Sequence, residues 1–190
     1  LQTTISEKHD MKWKEWCGDS RVILLTAHRR ENLGQPLVNI FESIKYIINK
    51  YDDIKVIYPV HYNPKIRECV KEVLGEEERV KIIDPLNVTD FHNLINHSYL
   101  ILTDSGGIQE EAPALGKPVL VLRDTTERPE GVEAGTLKLV GTKKEDICAA
   151  VENLVDSETE YKKMSDTANP YGDGKASERI VDILLEKGRK

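Results

Sequence analysis

The sequence lacks any long apolar run. No stretch of its 190 residues approaches the roughly 18 consecutive apolar residues from which a membrane-spanning helix is built. Residues 1–16 are mixed and polar, so the pattern of a secretory signal is also missing. These absences predict a cytoplasmic protein that does not enter a membrane. The chain begins with Leu1 and not with methionine, and we therefore expect a piece of a longer protein.

Cysteine is scarce. Cys17, Cys69 and Cys148 are odd in number and have no paired spacing, which argues against a disulfide framework and predicts free thiols in a reducing compartment. His92 and His97 lie on a short predicted helix without an acidic ligand pattern beside them. We therefore predict no metal site.

Positive charge is also in short supply. The chain has 27 Lys and Arg against 33 Asp and Glu, for a net charge of −6. Non-selective nucleic-acid binding needs a basic surface, so we expect no nucleic-acid partner. A small phosphorylated ligand remains compatible with this charge. A few donors at contact distance determine its affinity, whereas the diffuse field is screened over roughly 10 Å.

Short β-branched runs recur along the chain with helical segments between them. The runs are apolar nearly throughout instead of alternating, which is typical of strands covered on both faces of a parallel sheet. Strands and helices in alternation form right-handed βαβ units. The sequence therefore predicts an α/β fold with a doubly wound parallel sheet, Rossmann-like. The predicted strands are 22–26, 55–60, 80–84, 99–104, 118–123 and 136–141.

Apolar residues at helical spacing mark the intervening helices. Pro36 precedes the first stripe at a first-turn position, and Asn63 precedes the second as its expected cap. A turn-rich break at 169–174 sets the last helix apart, and we expect that helix to pack away from the main sheet. The stripes span 37–48, 66–74, 91–95, 147–154 and 180–185. We divide the chain into a connector and helix at 1–20, a Rossmann-like domain at 21–168, and a turn with a closing helix at 169–190.

Ligands of an open parallel sheet bind outside the carboxyl ends of its strands, and the loop after the first strand is unusual. It places His28, Arg29 and Arg30 on one short segment before a helix. Functional groups concentrate on loops that a rigid scaffold holds, which favours a functional histidine. The alternative is a solvated basic loop with a bystander histidine.

The loop after the predicted strand 99–104 is Ser105-Gly106-Gly107, which opens directly into a helix. Unpaired N–H groups and the positive end of the dipole favour an anion at a helix start, and glycines let a phosphate approach the backbone. One turn later, Glu111 could accept the two hydroxyls of a ribose. The alternatives are a glycine turn needed only for tight packing, and a surface acid that complements the helix dipole.

The loop after the predicted strand 118–123 offers Arg128, whose planar fork suits a phosphate. A surface ion pair with Glu127 or Glu130 is the alternative. His61, Arg123 and Glu127 are weaker candidates of the same kind. Two nucleotide motifs are missing, since no GxGxxG follows the first strand and the glycines near 172–177 lack the spacing of a P-loop.

Four motifs lie along the chain, at 26–32, 58–61, 103–113 and 123–131. In this order and at this spacing, they resemble the non-hydrolysing UDP-N-acetylglucosamine 2-epimerases of bacteria and archaea. The resemblance covers nearly the whole chain. It implies the carboxy-terminal domain of a GT-B architecture, in which two Rossmann-like domains enclose the active site.

The resemblance further implies an enzyme that interconverts UDP-N-acetylglucosamine and UDP-N-acetylmannosamine without a metal or a nicotinamide. UDP is eliminated to leave a glycal, which is protonated on the other face before UDP re-adds. The carboxylates that move the carbon-2 proton belong to the amino-terminal domain, so this chain alone should be inactive. The complete protein is expected to be a homodimer, since members of the family commonly are.

Residue by residue, His28 matches the family's catalytic histidine near the diphosphate. Some members place a glutamine near uracil where this chain has Leu86, whose backbone would still read the base edge. Arg29 and His61 resemble residues that, in some bacterial members, hold a second, regulatory UDP-N-acetylglucosamine. The remaining matches are the diphosphate cradle Ser105, Gly106 and Gly107, the ribose contact Glu111, the phosphate contact Arg128 and the uracil neighbour Phe91.

Three other functions stay open at this point. A GT-B glycosyltransferase donor domain shares the glycine-opened helix and the following glutamate, but the loop from His28 to Asn32 favours the epimerase. A hydrolysing UDP-N-acetylglucosamine 2-epimerase would release free N-acetylmannosamine. A non-catalytic nucleotide-sugar sensor would keep its function without His28.

Overall fold

The computed structural model describes residues 13–75 and 77–187. These residues form a six-stranded, wholly parallel sheet in the order β3-β2-β1-β4-β5-β6. Each of the six predicted strands is present, with ends shifted by at most two residues. The strands are β1 (Arg21–Thr26), β2 (Ile54–Pro59), β3 (Val80–Ile83), β4 (Leu100–Thr103), β5 (Val119–Val121) and β6 (Leu137–Leu139).

Several helices begin at a capping residue or a proline. The Asn63 side chain accepts a hydrogen bond from the backbone N–H of Lys65 at 3.1 Å, and Pro36 lies in the first turn of its helix, both as predicted. The predicted connector at 1–20 falls mostly outside the described residues. The helices are α1 (Lys14–Cys17), α2 (Gln35–Lys50), α3 (Pro64–Leu74), α4 (Val88–His97), α5 (Gly106–Glu111), α6 (Pro129–Ala134), α7 (Lys144–Asp156), α8 (Glu158–Ser165) and α9 (Ala176–Lys187), with 3-10 turns at Arg30–Asn32 and Pro113–Leu115.

Apolar side chains cover both faces of the sheet. On β1, Ile23 and Leu25 pack into a cluster with α2, α3 and α7, whereas Val22 and Leu24 pack into a second cluster with α1, α4 and α5. Successive residues of a strand point to opposite faces, so a run that is apolar throughout fills both clusters. The predicted doubly wound, Rossmann-like fold is confirmed.

The strand order reverses between β1 and β4, which are neighbours in the sheet but distant in sequence. Thr26 pairs with Thr103 at the carboxyl ends of these strands, and the two hydroxyl oxygens lie 2.6 Å apart. From this point β1 leads to α2 on one face and β4 leads to α5 on the other. The crevice that opens between diverging connections is where sheets of this type bind ligands.

The last helix differs from the others. The apolar stripe of α9 is present as predicted, yet none of its described residues is buried, and Leu184 is 64% exposed. An apolar stripe is a surface that other protein normally covers. None of the helices in the described part of the chain is long and apolar enough to cross a membrane.

Candidate functional site

A buried carboxylate binds the loop after β1 to the end of β4. Asp104 is fully buried, and its Oδ2 accepts hydrogen bonds from the backbone N–H groups of His28 and Arg29, each at 2.8 Å. The side-chain amide of Asn32 donates to the same oxygen at 3.0 Å. No role was predicted for Asp104 from the sequence. An acid at the end of an apolar strand, directly before Ser105, nevertheless indicates a buried carboxylate that needs hydrogen-bond donors.

The imidazole of His28 lies at the mouth of the crevice. Its side chain is 40% exposed, and Nδ1 stands 4.0 Å from Oδ1 of Asp104. The ring of His61, at the end of β2, is 5.7 Å from that of His28, measured between centroids. Arg29 lies on the same side of the loop, where its Nε donates to the Asp104 carbonyl at 3.0 Å. The fold thus brings together the three residues predicted for catalysis and regulation.

The glycines after β4 face open space. A Cβ atom added at Gly106 would meet nothing closer than Arg29 Nη2 at 3.7 Å, and one at Gly107 nothing closer than Glu111 Oε1 at 4.0 Å. Neither glycine has a positive φ. Ser105 is the N-cap residue of α5, but its hydroxyl caps nothing. Tight packing therefore does not explain these glycines, and the N–H groups at the helix start remain accessible.

Glu111 stands at the end of α5 and not in its first turn, so it does not complement the positive end of the helix dipole. Burial raises the pKa of Glu111, and the imidazole of His92 opposes that rise. His92 Nε2 lies 3.7 Å from Glu111 Oε2. Leu86 and Phe91 are half-buried against the apolar cluster that also holds Ile108 of α5. The predicted base and ribose contacts therefore lie on one face of the sheet.

Arg128 has a carboxylate partner that the sequence did not indicate. Its Nε donates to Oε1 of Glu110, and its Nη1 donates to the backbone carbonyl of Glu127 at 2.9 Å. The ion pair with Glu110 raises the pKa of the guanidinium. The sequence offered an ion pair with the side chain of Glu127 or Glu130 as the alternative to a phosphate contact. Glu110 belongs to α5, so the pair brings Arg128 to the same helix as the glycines.

Arg123 and Glu127 form an ion pair through two hydrogen bonds. The Arg123 side chain is only 8% exposed, and its Nη1 and Nη2 donate to Glu127 at 2.6 and 3.1 Å. Its Nε donates to Glu31 at 2.9 Å. The guanidinium holds the pKa of Glu127 down at about 2. These two weaker candidates therefore fasten the loop after β5 to the loop after β1.

Metal and thiol chemistry have little basis in the described part of the chain. Across residues 13–75 and 77–187, no three His, Cys, Asp or Glu side chains are grouped as a metal site. Cys17 and Cys148 are buried free thiols, and Cys69 is half-buried. Burial raises the pKa of each of these thiols, which keeps them protonated and unreactive near neutral pH.

Known proteins resemble the chain over most of its length. The family model described as UDP-N-acetylglucosamine 2-epimerase matches residues 2–185. The UDP-N-acetylglucosamine 2-epimerase of Bacillus subtilis is 56% identical over 97% of this chain and 49% of its own. The MnaA–UDP co-structure from S. aureus superposes with a TM-score of 0.93 at 51% identity, covering 98% of this chain and 52% of that one. The UDP-GlcNAc 2-epimerase of Neisseria meningitidis bound to UDP-GlcNAc gives 0.83 at 49% identity, with coverage of 88% and 45%.

A more distant structure matches the fold alone. The C-terminal domain of a group 1 glycosyl transferase from Francisella tularensis gives a TM-score of 0.62 at 16% identity, over 96% of this chain and 94% of that one. The chain thus has the Rossmann-like fold of a GT-B carboxy-terminal domain, and it spans about half the length of the curated relatives it matches. With a family model matched from residue 2 to 185, the chain belongs to the UDP-N-acetylglucosamine 2-epimerase family.

Proposed function

We propose that this chain is the UDP-binding half of an enzyme that interconverts UDP-N-acetylglucosamine and UDP-N-acetylmannosamine. The observation that carries the proposal is the open start of α5. Gly106 and Gly107 need neither their small size for packing nor an unusual φ, so an approaching ligand is the remaining reason for two glycines there. Membership of the family supplies the identity of that ligand.

In this proposal the diphosphate lies against the first turn of α5. The free N–H groups of Gly106 and Gly107 donate to its oxygens, and the uncapped Ser105 hydroxyl adds a further donor. The ribose follows toward Glu111, whose carboxylate accepts from its hydroxyls. The uracil lies against Phe91 with its edge at the Leu86 backbone. The order from phosphate to base thus runs from α5 toward α4.

Arg128 reaches a phosphate only by exchanging one anion for another. The guanidinium of Arg128 is paired with the carboxylate of Glu110 in this structure. A diphosphate at the start of α5 offers oxygens with more charge, in a geometry that a guanidinium can hold through two hydrogen bonds. The pairing with Glu110 keeps the arginine oriented until the ligand arrives.

His28 acts on the leaving group. As UDP departs, the bond between carbon 1 and the phosphate oxygen breaks and negative charge builds on that oxygen. An imidazole N–H directed at the oxygen would stabilise this charge. The proton at carbon 2 is removed and returned by carboxylates of the remaining half of the protein, which leaves a glycal between the two steps. The reaction as proposed uses no metal and no nicotinamide.

The remaining roles follow from the same assignment. Arg29 and His61, beside His28, would hold a second UDP-N-acetylglucosamine with regulatory effect. The complete protein would be a homodimer, and this chain alone would bind UDP and catalyse nothing. Its free thiols fit a reducing cytoplasm.

Replacing the glycines by alanine tests the proposal. Gly106→Ala and Gly107→Ala should leave the melting temperature of the chain unchanged or slightly higher, because the added Cβ has room and alanine favours a helix. UDP affinity, measured by calorimetry, should fall about tenfold or more as the methyl group displaces a phosphate oxygen. Gly131→Ala is the control for a packing glycine, since its Cβ would overlap Leu137 and Tyr171 and lower the melting temperature. Unchanged UDP affinity in both alanine variants would refute the cradle.

A glycosyltransferase is the second candidate, because the Francisella tularensis domain shares the fold. The complete protein should then move labelled sugar from a UDP donor to an acceptor. Epimerisation without any such transfer favours the proposed enzyme, and release of free N-acetylmannosamine would identify a hydrolysing epimerase instead.

A further inference from the structure

The two oxygens of the Asp104 carboxylate have unequal surroundings. Oδ2 accepts three hydrogen bonds, from the backbone of His28 and Arg29 and from the side chain of Asn32. Oδ1 is buried and accepts none from the described residues. A buried carboxylate oxygen without a donor is unfavourable, so a donor within reach of Oδ1 would stabilise the carboxylate.

The nearest imidazole nitrogen is the natural partner of that oxygen. Nδ1 of His28 lies 4.0 Å from Oδ1 of Asp104, about 1 Å beyond hydrogen-bond distance. The His28 backbone is already fixed to the same carboxylate through Oδ2, so a rotation of the side chain is enough to close the gap. Hydrogen bonds within catalytic sites are often long without ligand and shorten when the substrate binds.

We propose that Asp104 is a positioning residue for His28, accepting a hydrogen bond from Nδ1–H through Oδ1 when the nucleotide is bound. This inference rests on the proposed role of His28 beside the leaving UDP. With Nδ1–H held by Oδ1, the ring directs Nε2 into the crevice, toward the departing oxygen. Nε2 donates to that oxygen when the ring carries both protons, and a carboxylate at Nδ1 is the partner that such a ring requires. No covalent bond of the protein forms or breaks.

The two oxygens of the Asp104 carboxylate thus have different tasks. Oδ2 fixes the loop through the backbone of His28 and Arg29, and Oδ1 orients the ring of His28.

Asp104→Asn separates these two tasks. The asparagine carbonyl can still accept at the Oδ2 position, so the loop stays fastened to β4. Its NH2 group replaces Oδ1 and donates toward Nδ1, which then has to accept and moves the proton of the neutral ring to Nε2. A purely structural Asp104 predicts no such change of tautomer, and this difference makes the variant decisive.

The 15N chemical shifts of His28 with UDP bound, recorded at about pH 8 where an ordinary imidazole is neutral, report the tautomer. Wild type should show the proton on Nδ1 and Asp104→Asn should show it on Nε2. The kcat of the complete enzyme should fall about 100-fold or more in the variant, because an amide that donates to Nδ1 cannot hold a ring that carries both protons. KM and melting temperature should be nearly unchanged. Asp52→Asn, at an exposed carboxylate before β2 and away from the crevice, is the control and should match wild type.

Two outcomes would overturn the inference. One is a wild-type His28 that carries its proton on Nε2 with UDP bound, a measurement that does not depend on whether the variant folds. The other is a folded Asp104→Asn enzyme with full kcat. Failure of wild type to bind UDP at all is distinguishable, because it refutes the proposed function itself.

Discussion

Nε2 of His92 lies 3.7 Å from Oε2 of Glu111, so that an imidazole of α4 faces the carboxylate assigned to the ribose. The imidazole is nearly buried, with 12% of its side chain exposed, whereas the carboxylate keeps 39%. Two helices on the same face of the sheet thus meet through this pair.

The first prediction concerns the pH dependence of UDP binding. Burial raises the pKa of Glu111 above the usual 4.5, so the carboxylate gains its proton at a higher pH than an ordinary glutamate does. The ionised form is the one that accepts from both hydroxyls, and affinity should therefore fall on acidification before pH 4.5 is reached. Glu111→Gln should bind UDP about tenfold more weakly near pH 7, a loss of ~1.4 kcal/mol.

Calorimetric titrations of UDP into wild type and Glu111→Gln at several pH values isolate the contribution of the Glu111 carboxylate, because the phosphates of UDP titrate equally in the two experiments. Glu186→Gln on the exposed face of α9 is the matched control. The same acid dependence in Glu111→Gln and wild type would contradict the assignment.

The second prediction concerns the imidazole next to that carboxylate. The charge of His92 lowers the pKa of Glu111, so His92→Phe should move the acid loss of UDP affinity to higher pH. His97→Phe is the matched control on the same helix, since His97 packs against Trp13 with ring centroids 5.1 Å apart. Calorimetry at several pH values measures both variants. Equal behaviour of the two would show that the contact with Glu111 has no influence on binding.

The third prediction concerns the partner of Arg128. Glu110→Gln removes the carboxylate that competes with phosphate for the guanidinium, so UDP should bind more tightly, by about threefold to tenfold. Arg128→Ala should weaken binding by about tenfold or more. In the double variant, the gain from Glu110→Gln should disappear. Weaker binding in the Glu110→Gln single variant would indicate that the glutamate itself contacts the ligand.

The fourth prediction concerns the stability of the strand end that carries His28. The buried Tyr58 hydroxyl donates to the Ala27 carbonyl at 2.5 Å, and its ring packs against Phe41. Tyr58→Phe should reduce the free energy of unfolding by about 1 kcal/mol, because the buried carbonyl loses its donor. Tyr46→Phe, at a ring that is 42% exposed, should change it by less than ~0.5 kcal/mol. Urea unfolding followed by circular dichroism measures both, and equal losses would rule out this hydrogen bond as the cause.

The fold was predictable because its signals are local. Each strand is a largely apolar run of three to six residues with turn residues at its ends, and such a run is recognised without knowledge of its neighbours. The start of α3 is predictable for the same reason, because its cap joins Asn63 to Lys65, only two residues away. The helix α8 was not predicted, since only its half-buried Tyr161 and Met164 pack against the core, and two apolar residues make too short a stripe to recognise.

The arrangement of the site was less predictable, because its contacts join residues far apart in sequence. The positions of His28 and Arg29 follow from strand ends, but the anchor that Asp104 provides lies 75 and more residues along the chain. For Arg128 the alternative to a phosphate contact was an ion pair with a near neighbour, Glu127 or Glu130, whereas the carboxylate partner is Glu110 at a separation of 18. Charge and sequence spacing alone do not identify the partner in such an ion pair, since the direction of the loop determines which of several carboxylates the arginine can reach.

The hydroxyl bridge between Thr26 and Thr103 joins residues 77 positions apart, and this distance has a kinetic consequence. Contacts of long sequence separation form slowly, because the intervening chain loses its freedom before they stabilise anything. On a ribosome the His28 loop emerges well before Asp104 and stays without its anchor until β4 is made. Two whole βα units are thus built in the interval, and the loop is fixed only after β2 and β3, on the other side of β1, have been made.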